Sequence, residues 1–76
     1  MNAREMFEEL GFEQVEPKHT NGQIAYFNKH HGWVEFHFEF KTFYIESVLD
    51  VDMQTFKAIH QQLIELGWIG SEEGCD

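Results

Sequence analysis

From Trp33 to Lys41 apolar and polar residues alternate without a break. An extended chain therefore sets Val34, Phe36, Phe38 and Phe40 on one face and Trp33, Glu35, His37, Glu39 and Lys41 on the other. This predicts one half-buried antiparallel strand over 33–41 whose apolar row walls a core. Upstream, Gln23 to Asn28 reads as a second strand, with Ile24 and Tyr26 on one side and Ala25 and Phe27 on the other. Phe12 to Glu16 reads as a shorter strand ended by Pro17, and His19-Thr20-Asn21-Gly22 as the turn between these two. Lys29-His30-His31-Gly32 joins the second strand to the long one. Beyond it, Phe43 to Leu49 is either a fourth strand after a tight turn at Lys41-Thr42 or the continuation of one bent strand.

The period changes to that of a helix at both ends of the chain. Asn2 with Glu5 three residues on forms a capping-box pattern, and Ala3, Met6, Phe7 and Leu10 follow at i, i+3, i+4 and i+7, with Gly11 as the stop. Asp52 is the expected N-cap of a second helix over 53–66. Its stripe is read as Met53, Phe56, Ile59, Leu63 and Leu66, with His60 beside it as a partly buried histidine, Lys57, Gln61, Gln62 and Glu65 outward, and Gly67 as the stop. The two helices end alike, Glu9-Leu10-Gly11-Phe12 and Glu65-Leu66-Gly67-Trp68, each with an aromatic positioned to fold back onto the last turn.

The order predicts an α+β fold: helix, antiparallel meander of three or four strands, helix, with both helices on one face of the sheet and the other face open. One domain over 1–69 and a disordered acidic tail over 70–76 follow from the patterning.

Composition adds constraints. Seventy-six residues bury only about 60% of the surface that the unfolded chain exposes. Eight Phe, two Trp and two Tyr exceed what so small a core needs, which points to rings at an interface and to a homodimer as one way to cover them. A formal charge of −9 argues against direct binding to a nucleic-acid backbone and favours a basic protein partner. The charge is divided by element. Residues 1–17 and 42–76 are acidic, whereas 18–41 hold Lys18, Lys29, Lys41, His19, His30, His31 and His37 against Glu35 and Glu39. The single cysteine, Cys75, rules out an internal disulfide, and no apolar run approaches the roughly 18 residues of a membrane span or a leader's apolar core. A soluble, unprocessed cytoplasmic protein is the expectation.

The chemistry-bearing residues are few. Glu35, His37 and Glu39 lie about 7 Å apart in succession on one strand face, too far for a single strand to chelate a metal without neighbours such as Tyr44, Glu46 or Tyr26. A solvated polar face explains the alternation as well, so no metal and no cofactor are assigned. No Gly-x-Ser-x-Gly elbow, Gly-rich loop or telling His spacing is present, and the chain reads as a non-enzyme. Three surfaces remain as binding candidates. The sheet face offers Trp33, Glu35, His37, Glu39, Lys41 and Tyr44. An acidic surface offers Glu5, Glu8, Glu9 and Glu13, with Asp50, Asp52 and Glu65, whose carboxylates can imitate the spacing of DNA phosphates or serve solubility alone. Lys29, His30 and His31, with Lys41, offer a site for the phosphates of a small ligand.

The frame Ala3-Arg4-Glu5-Met6-Phe7-Glu8-Glu9-Leu10-Gly11-Phe12 and Ile64-Glu65-Leu66-Gly67-Trp68, around an aromatic-rich meander, resembles short proteins encoded in phages and prophages of Gram-positive bacteria. The Lys29-His30-His31-Gly32 segment lies outside that frame. The resemblance implies no catalytic or binding residue. It implies a setting, in which such proteins act as accessory factors on host proteins, including inhibitors of CRISPR nucleases and of nucleotide-signalling immunity. The expectation is a phage accessory protein that blocks a host defence protein. An oligomeric sponge for a nucleotide signal and a homodimeric structural or regulatory factor are the alternatives.

Overall fold

The computed structural model describes residues 1–47 and 50–70. The chain runs α1 (Ala3–Glu9), β1 (Glu13–Val15), β2 (Gly22–Asn28), β3 (Gly32–His37), β4 (Thr42–Ser47) and α2 (Met53–Glu65). The four strands form one antiparallel sheet in sequential order, so the α+β meander expected from the patterning is what forms. Leu49 and the segment 71–76, where the last strand and the acidic tail were expected to end, lie outside the described residues.

Local chemistry sets the helix ends. Asn2 Oδ1 accepts from the Glu5 N–H at 2.8 Å while the Asn2 N–H donates to Glu5 Oε1 at 3.1 Å, closing the capping box. Asp52 Oδ1 likewise accepts from the Thr55 N–H at 2.7 Å. Both C-termini close as Schellman motifs: Phe12 N–H to Phe7 O and Gly11 N–H to Glu8 O in α1, Trp68 N–H to Leu63 O and Gly67 N–H to Ile64 O in α2. Phe12 and Trp68 are thereby turned back onto the core.

That core lies between the helices and the sheet face that carries Tyr26, Val34 and Phe36. Phe7, Phe12, Ala58 and Ile59 complete it, with Met6, Leu10, Ile24, Ile45, Leu63, Leu66 and Trp68 packed around. Phe7 stacks on Tyr26 at 4.1 Å between ring centroids, and the Tyr26 hydroxyl donates to Gln62 Oε1 at 2.8 Å, so the phenol is buried with its polar atom satisfied. A further long-range tie links the helices: the Ala3 N–H at the start of α1 donates to Glu65 Oε2 at 2.7 Å. Glu65 is therefore an acid at a helix N-terminus, and not simply an outward charge.

The structure corrects three expectations. First, the strand expected over 33–41 stops at His37, and β3 and β4 are separate strands. His37 pairs with Thr42, Lys41 takes a positive φ of 56°, and the Lys41 N–H reaches back to Phe38 O at 3.3 Å, making a turn of 38–41. The Phe38 N–H, free of the ladder, donates to Gln23 Oε1 at 2.7 Å. Phe40 is then no core residue but 75% exposed. A hairpin whose loop continues the alternation of its strand looks, in sequence, like one longer strand.

Second, α2 is rotated from its expected stripe. Thr55, Ala58, Ile59 and Gln62 are its buried residues, Leu63 and Leu66 are partly buried, and Met53 and Phe56 are 63% and 50% exposed. Small residues at the seam allow close approach of α1, where Ala3 is also fully buried, and Gln62 turns inward because Tyr26 supplies its partner. Third, His60 is exposed and lies against the exposed ring of Phe56, with centroids 6.1 Å apart, and is not part of the core.

Candidate functional site

Glu35 is the centre of the sheet's second face. Its position on β3 puts Ala25 of β2 and Tyr44 of β4 beside it, and Trp33 and His37 at two residues before and after on the same face. Ala25 is fully buried and small, so the segment joining β1 to β2 can lie down over the carboxylate. Residues 17–19 of that segment do so, which means the second face is not open as expected.

Five donors converge on the carboxylate. Oε1 accepts from the Lys18 N–H at 2.9 Å and from Trp33 Nε1–H at 2.8 Å. Oε2 accepts from the His19 N–H at 3.2 Å and faces His19 Nδ1 at 2.9 Å and His37 Nε2 at 2.8 Å. The side chain has no exposed surface. Desolvation by burial pushes the carboxyl upward, but hydrogen bonds from Trp33, the Lys18 backbone, His19 and His37 outweigh it and hold the group down at about 2. A carboxylate held this low stays ionised at physiological pH and is unsuited to general acid or base chemistry there.

The loop is fastened at its rim as well. Lys18 Nζ pairs with Glu46 Oε1 at 2.6 Å and lies 4.6 Å from the centroid of the Trp33 ring. The Glu46 hydrogen bond raises the Lys18 ammonium, and the same bond lowers Glu46. The His19 ring meets Tyr44 edge-on at 4.8 Å and lies 5.4 Å from the His37 ring. Gly22 makes the approach possible: a Cβ there would collide with Glu35 Oε2 and come within 2.6 Å of the Pro17 Cβ.

Of the six residues assigned to the sheet face, Trp33, Glu35, His37 and Tyr44 form one cluster, in which Glu35 is fully buried and the others are partly buried. Glu39 and Lys41 lie apart from it, exposed in the 38–41 turn. The expected carboxylate-imidazole-carboxylate row is thus an indole-carboxylate-imidazole row completed by His19 from another segment. No periodicity marks His19, which reads in sequence as a turn residue. The only local signals are Pro17 and Gly22, which bracket a stretch longer than a tight hairpin turn.

The other two candidate groups are placed differently. Glu5, Glu8, Glu9 and Glu13 are all exposed, and Glu8 pairs with Arg4 at 3.2 Å. Lys29, His30 and His31 do not converge with Lys41, because the β2–β3 and β3–β4 turns lie at opposite ends of β3. The backbone N–H groups of His30 and His31 donate to Asn28 Oδ1 at 2.7 and 2.9 Å, and the His31 ring stacks on Phe12 on the core side. Asn28 Nδ2 in turn donates to Leu10 O at 3.1 Å, so this segment braces the end of α1.

Other exposed rings lie at the β3–β4 end. Phe38, Phe40 and Phe43 are all substantially exposed there, and the Phe38 ring meets Trp68 edge-on at 5.8 Å. No helix among the described residues is long and apolar enough to cross a membrane. Comparison of the chain with protein-family models, with curated proteins and with solved structures finds no match.

Proposed function

We propose that this chain is a non-enzymatic phage accessory protein that docks on a host protein and blocks it, with a component of antiviral defence as the first partner class to test. The observation that carries the docking reading is the aromatic end of the β3–β4 hairpin. Phe38, Phe40 and Phe43, one of them 75% exposed, fall within one turn and its flanking strand end on a domain of only 76 residues. Grouped exposed apolar side chains inside a polar rim are what protein interfaces are built on, and aromatic anchors dominate their energetics. Glu39 and Lys41 supply that rim within the same turn. A charge of −9, with Glu5, Glu8 and Glu9 exposed along α1, favours a basic partner surface such as a nucleic-acid-binding cleft. The defence setting rests on the sequence resemblance alone.

The test is native mass spectrometry of the protein recovered from bacterial lysate, as wild type and as Phe40→Ser, beside plaquing efficiency on hosts with and without a defence system. A stoichiometric host protein retained by wild type and lost in Phe40→Ser, with a matching loss of plaquing advantage, supports the reading. Retention by Phe40→Ser but loss on reversal of Glu5, Glu8 and Glu9 to Lys moves the surface to α1. Extra mass of a small molecule in place of a protein overturns the reading in favour of the nucleotide sponge, and a bare homodimer closed by these rings overturns it in favour of the structural factor.

A further inference from the structure

We infer that His19, Glu35 and His37 form a binding site for a divalent metal ion of the zinc class, placed where the β1–β2 segment lies over β3. One ligand atom from each residue, two imidazole nitrogens and a carboxylate oxygen, falls within 4.8 Å of the others. Two imidazoles and one carboxylate are a ligand set that zinc takes readily, with the remaining position left to water or to a partner's side chain.

Three further features fit a site and not merely a buried ion pair. The carboxylate is aimed: Lys18 N–H and Trp33 Nε1–H hold Oε1, leaving Oε2 turned to the two histidines, which is the role that outer partners play around metal ligands. The histidines are unequally covered. His37 is 22% exposed on a paired strand, while His19 is 43% exposed on the connecting segment, so one side of the cluster stays accessible to an ion. And the chain as a whole carries a formal charge of −9, a net field that favours a cation even with the cluster in its least acidic stretch, 18–41.

Without an ion, His19 Nδ1 and His37 Nε2 stand 2.9 and 2.8 Å from Oε2, which is hydrogen-bond spacing. Bonds of about 2.0 Å to a tetrahedral ion set neighbouring ligand atoms about 3.3 Å apart, so uptake requires each ring to withdraw from Oε2 by about half an ångström and the two imidazole nitrogens, now within 4.8 Å, to settle at that same spacing. Each neutral imidazole then carries its proton on the other ring nitrogen and turns a lone pair to the metal. The ion replaces two N–H donors to Oε2 and clips the 16–21 segment to β3. This inference stands on the cluster alone and is independent of the docking surface at the hairpin end.

The experiment titrates the whole chain, freed of metal by chelation and carrying Cys75→Ser to remove the thiol, with Zn²⁺ and with Co²⁺. Uptake is read by native mass spectrometry and cobalt ligand-field absorption. His19→Asn and His37→Gln keep an N–H group in place toward Glu35 but remove the imidazole lone pair. Wild type is expected to take up one ion per chain, each single variant to weaken uptake by at least about tenfold, and the double variant by about a hundredfold or more. Trp33→Phe, which releases Oε1, is expected to weaken it by about tenfold with all three ligands intact. Imidazole ¹H–¹⁵N spectra of wild type, in which His19 and His37 alone of the five histidines shift on adding Zn²⁺, identify the ligands even where a variant fails to fold. No uptake in excess metal, or uptake that the double variant retains while the His30, His31 or His60 resonances shift, overturns the inference.

Discussion

Glu35 makes a sharp quantitative test, because one side chain is both the anchor of a loop and a depressed acid. Its carboxyl is held at about 2 against an ordinary 4.5, and a depression of that size is worth about 3 kcal/mol of stability at neutral pH. A domain of this length has about 4–11 kcal/mol in all. The sign follows from the direction of the shift. The folded state binds this proton more weakly than the unfolded chain does, so the contribution is complete above about pH 4.5 and is lost as pH falls toward 2. Glu35→Ala strips the acceptor from Trp33 Nε1–H and from the Lys18 and His19 N–H groups, and is expected to cost about 3 kcal/mol at pH 7. Glu35→Gln keeps the shape and one acceptor oxygen, and the histidines can present a lone pair to the amide by changing tautomer. Its expected cost is about 1–2 kcal/mol. Urea unfolding of wild type and Glu35→Gln at pH 7 and pH 3 is the assay, with the difference between the two proteins cancelling the remaining carboxylates. The gap of about 1–2 kcal/mol in favour of wild type should close at pH 3, where about 2 kcal/mol of the ionised anchor's contribution is gone. An unchanged gap, or an alanine variant within about 1 kcal/mol of wild type, would refute the reasoning that the five donors act on an ionised anchor.

Gly22→Ala places a Cβ against the Glu35 carboxylate and 2.6 Å from Pro17 Cβ, and is expected to lower stability by about 1–3 kcal/mol in urea titrations and to lift the loop off the sheet. Tyr26→Phe leaves Gln62 Oε1 buried without its donor, so a loss of about 1–3 kcal/mol is expected. Pairing it with Gln62→Met should recover most of that in a double-mutant cycle. Asn2→Ala opens the capping box of α1 and should cost about 1 kcal/mol by thermal unfolding, with Asn2→Ser near wild type.

Much of this fold was legible along the chain, and all of it that was legible is local. Capping chemistry can be read from neighbouring residues because its partners are three to five positions apart, and Asn2, Asp52, Gly11 and Gly67 behave accordingly. Alternation placed Tyr26, Val34 and Phe36 on the core face correctly. It failed at Phe38 and Phe40, where a turn happens to continue the pattern, and the helical period failed to set the rotation of α2, which Tyr26 and α1 decide from elsewhere. What only the tertiary structure decided is the environment of Glu35. In sequence it is one of fourteen acidic residues, on a face that alternation marks as polar. Only the crossing of the 17–19 segment over that face brings His19 and two backbone N–H groups to it from 16 and 17 positions away, and turns a solvated charge into the buried centre of a cluster. Patterning reports which face a side chain takes, because that depends on the local period. It cannot report which segment will cover that face, because covering depends on loop paths that no period encodes.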